Sequence, residues 1–100
     1  MFYSSYTEKL QNQNDKIYGL YLIQSKDKKS ITITPLINHV NKEDITYDVY
    51  FKIDGKEELI EQNTSNDNIL LPSGKTGKIR VISYINGIKQ TDCIENFAAF

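Results

Sequence analysis

Ile45-Thr46-Tyr47-Asp48-Val49-Tyr50-Phe51-Lys52-Ile53-Asp54 is the stretch that decides the fold. Ile45, Tyr47, Val49, Phe51 and Ile53 fall on one side of an extended chain, and Thr46, Asp48, Tyr50, Lys52 and Asp54 on the other. Successive side chains of a strand point to opposite faces, so five matches in a row to a period of two read as a half-buried strand. Asp54-Gly55 follows it, and such a pair accepts the positive φ angles of a type I′ turn. Residues 57–62 then return as the second strand of a hairpin.

The same reasoning extends in both directions. Towards the C-terminus, Asn68-Ile69-Leu70-Leu71-Pro72 reads as a short strand and residues 73–77 as a turn. Residues 78–85 alternate again, with Ile79, Val81, Ser83 and Ile85 against Lys78, Arg80, Ile82 and Tyr84. Asn86-Gly87 is a second hairpin signal, and residues 88–94 make the last strand. Towards the N-terminus, residues 18–24 and 30–34 read as strands joined by a turn at Lys26-Asp27-Lys28-Lys29. Pro35 cannot donate to a ladder and is expected to end the second of these, leaving 36–44 as a loop with room for a short strand at its start. Ser5-Tyr6-Thr7-Glu8 fits a capping box, so residues 1–16 are expected to be a leader or linker with one short helix at most.

Composition agrees. Fourteen Ile, three Val and seven Thr stand against two Ala. Branched side chains lose rotamer freedom in helices and pack well on a pleated surface. The expectation is an all-β fold, a seven-stranded antiparallel sandwich over residues 17–100 behind the leader.

Charge and chemistry exclude several functions. Twelve basic residues balance thirteen acidic ones, and eleven of the twelve are Lys, so neither the field nor the Arg forks for nucleic-acid recognition are present. No apolar run approaches the roughly 18 residues of a spanning helix, and membrane insertion is not expected. Met1 to Tyr6 has neither the basic nor the apolar region of a signal peptide. Ser73-Gly74-Lys75-Thr76 resembles the end of a P-loop, but Ile69 stands where that motif needs glycine, and a strand pattern follows instead of a helix. His39 and Cys93 are each the sole residue of their type, too few for a structural metal site or a recognisable catalytic set. Glu57 and Glu61 share a face on simple alternation, and charges on an exposed edge strand explain them better than catalysis. Asn63, Ser65 and Asp67 have the spacing of a calcium loop without its glycine and terminal acid. The expectation is a protein that is not an enzyme and needs no cofactor.

Leu71-Pro72-Ser73-Gly74-Lys75-Thr76-Gly77-Lys78-Ile79-Arg80-Val81 and Ile82-Ser83-Tyr84-Ile85-Asn86-Gly87 together carry a family resemblance. Over residues 17–95 the chain resembles a fibronectin type III or related immunoglobulin-like module. Tyr47-Asp48-Val49-Tyr50-Phe51-Lys52-Ile53-Asp54-Gly55 looks like the central strand of the bacterial three-tyrosine variants. Two features depart from it: the family's corner tyrosine falls on Gly77, and its buried tryptophan is absent, leaving that volume to Tyr47 or Phe51. The resemblance implies an accessory or protein-interaction module of a larger, bacterial protein, with a cell-surface or secreted setting favoured.

If the strands at 45–54 and 78–85 pair in one sheet, Tyr50, Ile82 and Tyr84 all point outward. That exposed cluster is the expected partner surface. The partners it suits are another protein, a neighbouring domain, a second copy of the chain, or a polysaccharide stacked on the two tyrosine rings. It could equally be covered by residues 1–16.

Overall fold

The computed structural model describes residues 16–100. Its seven strands are β1 (Lys16–Gln24), β2 (Ser30–Asn38), β3 (Ile45–Ile53), β4 (Lys56–Thr64), β5 (Asn68–Leu70), β6 (Thr76–Ile85) and β7 (Ile88–Ala98), with one 3₁₀ turn at Lys42–Asp44. They form two antiparallel sheets, ordered β1-β2-β5 and β4-β3-β6-β7. The proposed leader lies outside the described residues except for Lys16, which already belongs to β1.

β3 fulfils its pattern. Ile45, Tyr47, Val49 and Phe51 are buried, and the residues between them are not. They meet Ile79 and Val81 of β6, and Ile17, Ile31, Ile33 and Ile69 of the other sheet, in one core. Tyr47 and Phe51 are both among its buried rings, and Phe51 packs against Phe97 with centroids 5.4 Å apart. Both hairpins turn through two positive φ angles, 53° and 78° at Asp54-Gly55 and 48° and 83° at Asn86-Gly87, as type I′ geometry requires. Ser73-Gly74 lies in a turn closed by the Lys75 amide on the Pro72 carbonyl, directly before β6, so the P-loop likeness is only a turn between strands.

Three expectations are corrected. β2 does not end at Pro35 but runs on to Asn38, with Pro35 opposite Leu20 of β1. The Ile33 amide points to the β5 side, where it donates to the Asp67 carbonyl. Pro35, two residues on, has its nitrogen on that same side, where β5 no longer reaches, so no ladder bond is lost. Glu57 and Glu61 do not share a face. β4 carries two register shifts against β3, and the one between Val49 and Tyr50 puts Glu57 opposite Lys52 but Glu61 opposite Val49, positions of opposite sense. The last strand is also longer than its pattern, continuing to Ala98 and burying Phe97.

Gly77 sits where the two central strands approach most tightly. A Cβ there would lie 2.3 Å from the Lys52 carbonyl oxygen and 3.1 Å from Ile53 Cγ1. β6 passes too close to β3 at this point for any side chain.

On one flank β1 runs beside β7, bridged by side chains instead of a ladder. The Ile17 amide donates to Gln90 Oε1, and Gln24 Nε2 donates to the Ala98 carbonyl at 2.6 Å. The sheets are thereby tied along one edge, and their outer faces look in opposite directions.

Candidate functional site: the two outer faces

The outer face of the four-stranded sheet holds all three sequence-predicted residues. Register places Tyr50 opposite Arg80, Asp48 opposite Ile82, and Thr46 opposite Tyr84. None is a free apolar contact. Arg80 stacks over the Tyr50 ring at 5.7 Å and forks onto Asp92, with its Nε 2.9 Å from Oδ1 and its Nη2 2.6 Å from Oδ2. Glu57 from β4 and Lys89 from β7 complete that ion cluster, at 3.6 Å and 3.7 Å. The bidentate hydrogen bond to Asp92 holds the Arg80 guanidinium protonated more firmly than usual. The same bond depresses the Asp92 carboxyl below its ordinary range. The Tyr84 hydroxyl donates to Asp48 Oδ2 at 2.9 Å, and this hydrogen bond raises the Tyr84 pKa. The other oxygen of Asp48 accepts the Asn63 amide at 2.8 Å, so one carboxylate pins both the tyrosine and the bulged end of β4.

Ile82 is a correction. It points outward, as alternation requires, yet it is only 8% exposed. Its cross-strand neighbours are Asp48 and Asp92, and two residues along the strand lie Arg80 and Tyr84. Those long side chains are tied to one another and close over the isoleucine. The tyrosines are half-buried in the same network, and the apolar partner surface expected here is a charged, self-satisfied lattice. Beside it lies a shallow open depression of about 490 Å³ lined by Asp48, Gln62, Asn63, Tyr84 and Gly87.

The outer face of the three-stranded sheet is the opposite case. Ile31, Ile33 and Ile69 point into the core, so Ile23 and Tyr21 of β1, Thr32, Thr34 and Leu36 of β2, and Asn68 and Leu70 of β5 point away from it. Tyr18, at the β1 register shift, joins them. Tyr18, Tyr21, Ile23, Leu36 and Leu70 are 62%, 56%, 58%, 41% and 75% exposed. Lys16 lies at one end of this face, its ammonium 5.5 Å from the Tyr18 ring centre, and the charged turn Lys26-Asp27-Lys28-Lys29 lies at the other. The polar groups between are hydroxyls and an amide, with Asn68 Nδ2 donating to Thr32 Oγ1.

No family model, curated protein or solved structure matches this chain. Function therefore rests on the geometry of these two faces.

The exposed apolar residues of β1 were not singled out from the sequence, and the cause is visible in that strand. Leu20 and Leu22 alternate with Tyr21 and Ile23, so both senses of the strand are apolar and period alone does not say which is outside. The threonines at 32 and 34, against Ile31 and Ile33, were the available signal for the β2 face; the cross-strand register carries it to β1.

The groups with reactive chemistry are scattered. His39 is exposed after β2 with φ 57°. Cys93 lies on β7 with Sγ 3.9 Å from the Leu20 carbonyl, and burial, then Glu95 and Asp92, push its thiol pKa up. Among the described residues no three His, Cys, Asp or Glu side chains converge to hold a metal ion, and no helix is long and apolar enough to cross a membrane.

Proposed function

We propose that this chain is a non-catalytic β-sandwich module of immunoglobulin or fibronectin type III kind, which holds another protein surface against the outer face of its three-stranded sheet. A division into three and four antiparallel strands around one core supports the fold reading. One observation carries the functional reading. In a chain with 25% charged residues, the outward positions of β1, β2 and β5 present two tyrosines, two leucines and an isoleucine, with Lys16 at one end and the charged turn at residues 26–29 at the other. Interface centres are depleted in charge and enriched in tyrosine, whereas ordinary solvent faces mix charges throughout.

The test is accessibility at high dilution. Tetranitromethane should nitrate Tyr18 and Tyr21 in the dilute full-length chain and spare the buried Tyr47. Protection of Tyr18 and Tyr21 under those conditions would show that the chain covers this face itself and would end the reading.

A second reading is a carbohydrate site, favoured by the polar depression beside Tyr84. Carboxylate, amide and phenol groups there match the paired hydroxyls of a sugar ring, with the tyrosine as a platform. Titration with soluble polysaccharides, followed by tyrosine fluorescence, should show saturable changes that Asn63→Ala reduces. A flat response across a glycan panel would remove it.

A further inference from the structure

We propose that the free edge of β4 takes an extended segment of another protein as one more strand of its sheet, with a lysine or arginine of that segment set into the pocket beneath the edge. This site is separate from the β1-β2-β5 face and stands or falls apart from it. Backbone geometry, a pocket and the local charge select that occupant.

The backbone comes first. Among the described residues β4 pairs only with β3, so one side of its backbone is open. The residues flanking a two-residue turn form a hydrogen-bonded pair, and bonding then alternates along the ladder. Ile53 and Lys56 flank Asp54-Gly55, so Lys56 and Glu58 bond to Ile53 and Phe51. The N–H and C=O groups of Glu57 and Leu59 therefore point away from the sheet. Among the described residues no turn or loop hydrogen bond reaches them. Another extended backbone carries donors and acceptors at the spacing that satisfies all four groups, so the occupant is a strand. The register shift beyond Leu59 leaves Ile60 unpaired with β3 and ends the regular edge, so the pairing is short.

The pocket sets which side chain the strand carries. Lys56, Glu58 and Ile60, at alternate positions of β4, line a pocket of about 240 Å³ together with Phe51 and Ile53 of β3. These are core-side positions, since Glu58 stands opposite Phe51 and Lys56 opposite Ile53. With β1 held beside β7, β5 is left on the β4 flank, and it has three residues against the nine of β4. The facing sheet thus ends before it can close over the pocket. A strand laid along β4 directs every second side chain into that opening.

Charge decides the rest. The pocket floor is apolar, while Glu58 on its wall and Glu61 beyond the bulge lie on the same core side. Neither has an ion-pair partner among the described residues, and Glu61 receives only the Asn66 side-chain amide, at 3.4 Å. A lysine or arginine can lay its aliphatic stem on Phe51 and Ile53 and carry its charge to these carboxylates. The same charges disfavour a second copy, because two β4 edges would each bring three glutamates against one lysine.

The probes are capped seven-residue peptides of alternating threonine and valine with arginine or glutamate at the centre, titrated into the nitrogen-15-labelled full chain. The arginine peptide should shift the amide resonances of Glu57 and Leu59 and, at saturation, slow their hydrogen exchange at least about tenfold. The glutamate peptide should bind at least about tenfold more weakly. Methylating the backbone nitrogens of the arginine peptide, which removes the strand's donors, should abolish binding. Glu58→Lys should reverse the preference between the two peptides, a result that misfolding cannot produce. Equal binding of both peptides, a preference that Glu58→Lys leaves unchanged, or no response to either at millimolar concentration overturns the proposal. Protection of the Glu57 and Leu59 amides in the free chain also overturns it, because the edge would then already be covered.

Discussion

Replacing Gly77 by alanine should destabilise the fold severely, although the added group is one methyl. Two effects oppose each other. Alanine restricts the unfolded chain, which by itself stabilises a protein by about 0.4–1 kcal/mol wherever the native backbone suits it. The backbone at Gly77 is not in the left-handed region, so that gain is available in principle. Against it, the new Cβ would meet the Lys52 carbonyl oxygen at 2.3 Å and the Lys52 carbonyl carbon at 3.3 Å. A carbon–oxygen contact settles at about 3.3 Å or more, so roughly 1 Å must be found. The obstacle is backbone, and β3 is held at Lys52 between Glu57 on β4 and Lys78 on β6. Overpacking against such a fixed wall costs about 3 kcal/mol, the upper part of its usual range. The net loss is about 2 kcal/mol or more, which in a domain of this length lowers Tm by about 8–16 °C. Urea titration followed by circular dichroism measures it. Gly19→Ala is the matched control, because its Cβ would meet only Leu36 Cδ1 at 3.8 Å. That variant should be neutral or more stable. If Gly77→Ala is as stable as the native chain, the close approach of β6 to β3 is wrong.

The remaining predictions concern the four-stranded sheet. Ile82→Ala should cost about 2 kcal/mol despite its outward direction, whereas Tyr50→Ser should cost under about 1 kcal/mol; equal costs would mean the side chains around Ile82 do not close over it. The folded Asp92 carboxyl has a depressed pKa, so its stabilisation is complete above the unfolded value of about 3.9 and is lost as pH falls through the lower folded value. Asp92→Asn should accordingly differ most from the native chain at neutral pH, with the gap in urea midpoint shrinking below about pH 4; a constant gap at every pH would refute the pairing with Arg80. Burial and the Asp67 charge push the Tyr47 phenol up to about 12. Ultraviolet titration should therefore find at least one tyrosine that ionises only near that pH, and Tyr47→Phe should remove that step. Cys93, its thiol pKa raised, should react with iodoacetamide more slowly than a free cysteine at neutral pH until urea unfolds the chain.

Much of this protein was legible from the order of its residues. β3 and β6 declare their two sides because apolar and polar groups strictly take turns, and only one sense of such a strand can face a core. Asp54-Gly55 and Asn86-Gly87 declare their turns because few other pairs tolerate two positive φ angles. What eluded that reading needed information from elsewhere in the chain. Whether Pro35 breaks β2 depends on how far β5 extends beside it, and whether Glu57 and Glu61 align depends on how β4 bulges against β3. Ile82 is covered because residues from three strands meet over it. The outward side of β1 is undecided in a strand that is apolar in both senses, and is settled only by which of its side chains the opposite sheet accepts. Local periodicity is a property of one strand, so it determined the fold class and the core. A surface is assembled from several strands in register, so the tertiary structure alone decided which face is charged and closed and which is left bare.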